Sequence, residues 1–543
     1  MKPLRRHLPA VLLLAAGLVA FFPRTLATGL RAIQGVSVDP RHLNFVVEYA
    51  HRCVTGDAVC RGLWNPPIFF PQANVAGLTE PLFGLLPLYS PWRLLGASPS
   101  LAFALLEVAL VAATFLATYA LFARRFALAP TAAALGAYLF AFGNPRGAQI
   151  GHPHTFAAAP LVLALAALAA EVGQSGAGGN RQRYVPLAVA ALVWLYLSNV
   201  YFALFAALLA LSALPWALAQ APTRVALRES LRRRGALWLV SLAGGGALLA
   251  PVVRHQRAWA EILGWPPWEA VRDLLPQPES WLNSGALNWV WGAVARWPPI
   301  AGLAPSWEHE LGIGFVTLAL ALAGLWLARR DPWLRVAAGA AATLTMLATR
   351  WPGGFSLWRG VLHFVPALSA ARAMGRLVLL LLLLAAYGVA VAWQRLRADR
   401  RTLLAGVLLV VVPLEQARRV GSFPRRALDL QSSRLAAAVP RDCDAFFFSP
   451  VDFPTASDAA TQEVAMWAAL ESGIPTVNGY TSYLPPDWRL WDPGLRGEAD
   501  RVRLRGALAD WLRVANFRGE LCWLAGAPRP GAPPIVELER LRG

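Results

Sequence analysis

Val38-Asp39-Pro40-Arg41-His42-Leu43-Asn44-Phe45-Val46-Val47-Glu48 opens a long polar stretch, roughly 35–91, that follows the first apolar segment of the chain. Asp39-Pro40 reads as a helix N-cap followed by the first helical residue, because proline lacks only an amide proton that has no partner there. Leu43, Val46, Val47 and Ala50 then recur at i, i+3, i+4 and i+7, one apolar face of a short helix. His42, Glu48, His51 and Arg52 lie off that stripe. The expectation is an amphipathic helix lying on a membrane surface, with an acidic group at its N-terminal end.

The rest of the chain explains why a membrane should be there. Of 543 residues 57% are hydrophobic and 15% charged, and the mean hydropathy is +0.45, far from the composition of a soluble globule. The net charge of +19 comes from arginines clustered in short runs between apolar segments. Loops that follow the positive-inside rule account for that pattern, and nucleic-acid binding does not.

Apolar runs near the length of a membrane span fall at about 8–23, 100–122, 129–143, 155–171, 185–197, 200–219, 236–253, 311–328, 333–349, 375–394 and 402–414, about eleven spans in all. Alternating from a cytoplasmic N-terminus puts Arg124-Arg125, the Gly-rich turn with Arg181 and Arg183, the basic loop 224–234, Arg329-Arg330 and Arg395 to Arg401 all inside. The first loop (24–99), the 254–310 loop and the tail then fall outside. Cys53, Cys60, Cys443 and Cys522 all sit on that outer side, where disulfides persist. Cys53 with Cys60 can close a small loop and Cys443 with Cys522 can staple the tail. No spacing suits a metal.

The expected fold class is therefore an α-helical polytopic membrane protein, residues 1–415, followed by a small extracytoplasmic α/β domain, 416–543. In that tail Ala445 to Phe448 and Thr476-Val477 read as strands, and Ala459 to Glu471 and Glu498 to Val514 as helices.

Ionisable groups gathered on one face of a membrane protein are costly and often functional. The outer face collects Asp39, Glu48 and Glu80 as candidate catalytic carboxylates. His42, Arg146, His152, His154, Arg372 and Arg376 are candidates for holding an anionic substrate. Each has a structural reading beside it: Asp39 as a helix cap, His152 and His154 as interfacial caps, and Arg372 and Arg376 reaching lipid head groups. Glu308-His309-Glu310 reads as a solvated loop.

Asp39-Pro40 through Glu48, Thr79-Glu80-Pro81-Leu82, Gly147 to His152, Leu311-Gly312-Ile313-Gly314, Ala371-Arg372-Ala373-Met374-Gly375-Arg376, Ala465-Met466-Trp467-Ala468-Ala469 and Pro475-Thr476-Val477-Asn478-Gly479-Tyr480 together resemble the GT-C glycosyltransferases. Within that group the chain is similar to bacterial polytopic proteins of the mannosyltransferase-like and YfhO-like kind. The resemblance implies a polyprenyl-phosphate sugar donor, an envelope glycan, lipid or protein acceptor, and a place in a bacterial inner membrane. It also implies Asp39 as general base in an inverting transfer, with Arg372 or Arg376 holding the leaving phosphate. Many such enzymes carry an acidic pair in the first loop, whereas Ser37 and Val38 precede Asp39 here, so a divalent cation is left open. A transporter or flippase of envelope glycolipids and a non-catalytic lipid-binding scaffold are the competing classes.

Overall fold

Every one of the eleven apolar runs is helical in the computed structural model, which describes residues 2–35, 38–172, 183–451, 457–526 and 537–542. Ser37 and Arg181 lie outside the described residues. The helices are Lys2–Phe21, Pro99–Ala120, Pro130–Phe142, Ala159–Val172, Tyr184–Ser198, Val200–Ala219, Ala221–Leu263, Phe315–Leu327, Pro332–Ala348, Val378–Ala398 and Thr402–Glu415. Their starts follow local chemistry. Asn199 accepts from the Phe202 amide at 2.9 Å, and Asp331 accepts from Leu334 at 2.9 Å ahead of Pro332, both N-caps of the expected type. Among the described residues five helical stretches are long and apolar enough to cross a membrane: Pro99–Arg125, Pro153–Val172, Val200–Ala219, Ala221–Leu263 and Met374–Ala398. Shorter apolar helices include Tyr184–Ser198 and Thr402–Glu415, the two runs that were shortest in the sequence.

The basic stretch 224–234, expected as a loop, is helical. It belongs to the 43-residue Ala221–Leu263 helix, whose one non-helical residue is Arg234 (φ −135°). Arg234 pairs with Glu171, and Ser230 donates to the same carboxylate at 2.8 Å. A buried acid thus holds down a segment whose arginines alone read as solvated.

The described chain divides into two compact units. The first comprises Met1–Leu26, Glu107–Ala250 and Trp265–Val420. Its core is built from the helical segments, with Phe140, Leu139, Leu195, Phe202, Leu379 and Trp358 buried among them. Small residues let backbones touch, as is usual between membrane helices. A Cβ on Gly324 would fall on the Gly388 carbonyl. Glu415 closes the N-terminus of Phe315–Leu327, accepting from the amides of Val316 (3.0 Å) and Thr317 (2.7 Å), from the Thr317 hydroxyl (2.6 Å) and from Trp291 (2.6 Å).

The second unit comprises Ala27–Leu106, Pro251–Gly264 and Gly421–Gly543. The first long loop and the tail therefore share one unit. Strands β1 (Ala32–Gln34) and β2 (Ser422–Pro424) pair antiparallel. β3 (Ala445–Pro450) pairs parallel with β4 (Glu520–Gly526), which pairs antiparallel with β5 (Glu537–Arg542). β3 and the helices Asp458–Ser472 and Glu498–Val514 match the sequence reading. Thr476 makes only a single parallel bridge to Phe446, while β4, β5 and the helix Arg425–Ala438 were not expected.

The Val38–Val54 helix does not lie on a surface. Residues from Pro40 to His51 are buried except Val46, with Phe45 and Tyr49 packed into a core shared with Val75, Met466, Trp467, Trp488 and Trp511. The period-3.6 stripe was right, but Phe45 and Tyr49 give the helix a second apolar edge, and partners found elsewhere in the unit satisfy its polar residues.

Both expected disulfides form in this unit, Cys53–Cys60 and Cys443–Cys522, with Cα separations of 5.0 and 5.9 Å. Alkylation of the intact protein should label no cysteine, and reduction should release all four thiols. Replacing Cys443 and Cys522 together by Ser should cost about 2–5 kcal/mol, read as a lowered denaturant midpoint in detergent.

Candidate functional site

Asp39 sits in the first turn of the Val38–Val54 helix, two positions further in than a strict N-cap, within the usual spread of helix ends. Its Oδ1 accepts a 2.6 Å hydrogen bond from the Tyr480 hydroxyl. Burial, then the charge and hydrogen bond of Asp39, raise the Tyr480 phenol well above its ordinary range, so Tyr480 stays a donor.

The position of Tyr480 is over-determined. Gln462 Oε1 accepts from Asn478 Nδ2 (2.9 Å) and the Gly479 amide (3.0 Å). Asn478 also clasps β3, accepting from the Phe448 amide at 2.7 Å and donating to its carbonyl at 3.1 Å. Gly479 lies against the Phe69 ring, where a Cβ would overlap ring carbons. Pro475-Thr476-Val477-Asn478-Gly479-Tyr480 is thus a rigid bracket carrying a phenol to Asp39.

His42, one turn on from Asp39, packs edge-on to Tyr480 with ring centroids 5.3 Å apart. Its Nε2 lies 3.3 Å from Thr79 Oγ1, and its Nδ1 is buried without a hydrogen-bond partner. Burial drives its pKa down to about 4, so the ring is neutral near pH 7. A narrow crevice beside it is lined by Tyr49, Thr79, Glu80, Phe83 and Thr481, which brings Glu80 close to His42.

Glu48 has a different role. Its carboxylate has no exposed surface and accepts from Arg52 Nε (2.9 Å), Arg93 Nε and Nη2 (2.8 and 3.0 Å) and the Tyr89 hydroxyl (2.8 Å). Burial pushes its pKa up, but the hydrogen bonds and charges of Arg93 and Arg52 outweigh that and leave it below the ordinary value. Both oxygens are committed to structure.

Arg146, His152, His154, Arg372 and Arg376 belong to the other unit. Arg146 is wholly buried and spends its guanidinium on the carbonyls of Phe140 (2.5 Å), Thr155 (2.7 Å) and Leu379 (3.3 Å), stitching helix ends together and leaving little for a ligand. Arg376 pairs with Glu308 at 2.6 Å and meets His152 Nε2 at 3.1 Å. His152 and His154 lie edge to face at 6.0 Å. Burial, then the charges of Arg376 and His154, hold His152 well below its usual pKa. Arg372 is half-buried.

Glu308-His309-Glu310 is not solvated. Glu308 and His309 are buried, His309 Nδ1 lies 2.9 Å from Ser280 Oγ, and Glu310 pairs with Arg418 at 2.8 Å. Arg376 and Arg418 neutralise the acids, partners too distant in sequence to be paired by spacing.

The sequence also hid two carboxyls. Glu463, on the Asp458–Ser472 helix, is buried with Oε1 unpartnered and lies within electrostatic reach of Asp39 and Arg41. Its only signal is an acid at the head of the apolar run Val464 to Leu470. Glu107, inside Pro99–Arg125, is buried with both oxygens unpartnered. Among the described residues no cluster of three or more His, Cys, Asp or Glu side chains is arranged to hold a metal ion.

No protein-family model and no curated protein sequence matches the chain. Solved structures do. The chain is similar to the archaeal oligosaccharyltransferase AglB from Archaeoglobus fulgidus, determined with an inhibitory peptide and a dolichol-phosphate. That match has a TM-score of 0.51 and 12% identity over 95% of this chain and 69% of that one. It is also similar to the arabinofuranosyltransferase AftD from mycobacteria, with a TM-score of 0.54 and 17% identity over 95% of this chain and 35% of that one. The fold is GT-C-like. With its apolar helices it makes the chain a multi-pass membrane protein, one that spans about a third of the length of AftD.

Two outcomes follow from this geometry. Glu48→Ala strands two guanidinium groups in a buried site and should cost about 3–5 kcal/mol, measurable as a lowered thermal midpoint. Because the unfolded chain protonates His42 near its ordinary pKa of 6.5 and the folded chain only near 4, stability should be full above pH 6.5 and fall as pH drops towards 4. The loss attributable to His42 is about 3 kcal/mol, and a His42→Gln variant should lack that part of the acid-side slope.

Proposed function

We propose that this protein transfers a glycosyl group from a polyprenyl-phosphate-linked donor to an acceptor on the outer face of a bacterial inner membrane, with inversion and with Asp39 as general base. The observation that carries this reading is a carboxylate in the first turn of a buried helix, aimed by one phenol, in a chain of GT-C-like fold. AglB, one of the similar structures, was solved with a dolichol-phosphate, which supports a lipid-linked donor for this chain.

In the proposed reaction the acceptor hydroxyl oxygen forms a bond to the anomeric carbon as its proton passes to Asp39. The bond from that carbon to the phosphate oxygen breaks, and its electron pair leaves with the polyprenyl phosphate. Tyr480 donates to Oδ1 and helps fix the plane of the carboxylate that takes the proton. Arg376, in the other unit, is engaged by Glu308, so an anion bound to it would exchange with that carboxylate. The positive-inside pattern supports a cytoplasmic N-terminus, and the two disulfides support an oxidising outer side for the unit that carries Asp39.

A transport reading draws on Glu107, a buried acid within a membrane-length helix, the kind of group that marks intramembrane pathways. The test that separates the two is glycosyl transfer from a panel of polyprenyl-phosphate sugars in membranes containing wild type, Asp39→Asn or Glu107→Gln. Asp39→Asn should lower transfer at least about 100-fold at equal abundance, and Glu107→Gln should leave it within about twofold of wild type. Transfer that survives Asp39→Asn moves the base to Glu80. Transfer lost in Glu107→Gln and kept in Asp39→Asn overturns the assignment.

A further inference from the structure

Arg41, two residues on from Asp39, faces Glu463, Asp429 and Glu471. It donates to the Leu428 carbonyl at 3.0 Å and to the Ser432 hydroxyl, so the Arg425–Ala438 helix fixes its direction. Asp429 is bound by the Ser100 hydroxyl at 2.6 Å. Glu463 is 1% exposed, with Oε1 unpartnered. The groups facing it are Arg41, the Asp39 carboxylate and the backbone amide of His42, together with Tyr480. Asp429 also faces Arg425 and Glu471 also faces Arg52, whereas Arg41 is the cation that Glu463 faces.

We propose that Glu463 is a positioning residue for Asp39, a second carboxyl supplied by the tail that acts on the base through its field and through the His42 amide. The Asp458–Ser472 helix then serves the site twice. Gln462 holds the bracket that aims Tyr480, and Glu463, its neighbour, stands behind Asp39 itself. The tail is on this view part of the site and not a cover over it. Two neighbouring carboxyls in a buried space favour a single negative charge between them. Glu463, buried and with Oε1 unpartnered, is the one that keeps its proton. The kinetic side of this proposal rests on the glycosyl-transfer reading, whereas its electrostatic side does not.

The sign of the pH effect follows. Burial, the largest cause, together with Asp39 raises Glu463 well above the ordinary carboxyl range, against the pull of Arg41. The folded chain therefore holds a proton that the unfolded chain has lost, and stability falls as pH rises above the ordinary carboxyl range towards the folded value.

The experiment is the thermal midpoint of the full chain in detergent from pH 4 to pH 9, for wild type, Glu463→Gln and Asp39→Asn. Glu463→Gln keeps the shape of the neutral acid and should flatten the alkaline fall. Asp39→Asn removes the neighbouring charge and should move that fall to lower pH by about one unit, a shift that a merely space-filling Glu463 would not produce. Where transfer is measurable, Glu463→Gln should keep kcat within about threefold and Glu463→Ala should lower it at least tenfold with KM little changed. Profiles of Asp39→Asn and wild type that superimpose overturn the proposal, and so does a folded Glu463→Ala with the kcat of wild type. A shift without any detectable transfer keeps the carboxyl pair and discards the glycosyltransferase reading.

Discussion

A carboxylate with no exposed surface must find its whole coordination inside the protein, and the second unit is arranged around that requirement at Glu48. Two arginines and a phenol converge on it. They come from its own helix (Arg52) and from the Leu86–Leu94 helix (Tyr89 and Arg93). Because the partners are fixed in space, the Val38–Val54 helix is fixed in rotation. Only one rotation also places Phe45 and Tyr49 in the core and brings Asp39 to Tyr480. A buried ion cluster of this kind adds little net stability against an apolar substitute, but removing one member is costly. Its value here is in specifying one arrangement.

The same rule sorts the polar residues of the first unit. Arg146, Glu310 and Glu415 all find partners within the unit: backbone carbonyls for Arg146, one opposite charge for Glu310, and amides, a hydroxyl and an indole N–H for Glu415. Groups satisfied in that way are structural, whatever their residue type suggests. Arg376 differs in degree, because its guanidinium is divided between Glu308 and an uncharged imidazole.

Legibility followed chemical range. The helical segments were readable because a span is a local property, one run of apolar residues of sufficient length. The cysteine pairs were readable because four cysteines allow only a few pairings, and Cys53 and Cys60 lie close in sequence. Asp39 was readable as a helix start, and Glu308-His309-Glu310 was misread, for one reason: the sequence shows a charge but not what lies opposite it. Arg376 is 68 residues from Glu308, and Tyr480 is 441 from Asp39. The surface helix failed similarly. A stripe of Leu43, Val46, Val47 and Ala50 fixes one face and leaves the opposite face undefined until the tail is folded against it. β5 has four charged residues and two leucines without strict alternation, Glu537-Leu538-Glu539-Arg540-Leu541-Arg542, and its pairing partner is the neighbouring strand β4.

What separates the proposed base from a strut among these acids is exposure and surroundings, not the residue type. Glu48 meets two cations and a hydroxyl, and a proton arriving there would have to displace one of them. Glu463 has the opposite defect: with Oε1 unpartnered and Asp39 close by, its anion is unfavourable. Asp39 stands between the two, with a phenol that remains protonated beside it and an exposure greater than either. That exposure leaves it within reach of an acceptor hydroxyl, which the proposed base requires. The Tyr480 donor and the Glu463 carboxyl both come from the tail. A first loop cut away from that tail would keep the aspartate and lose both.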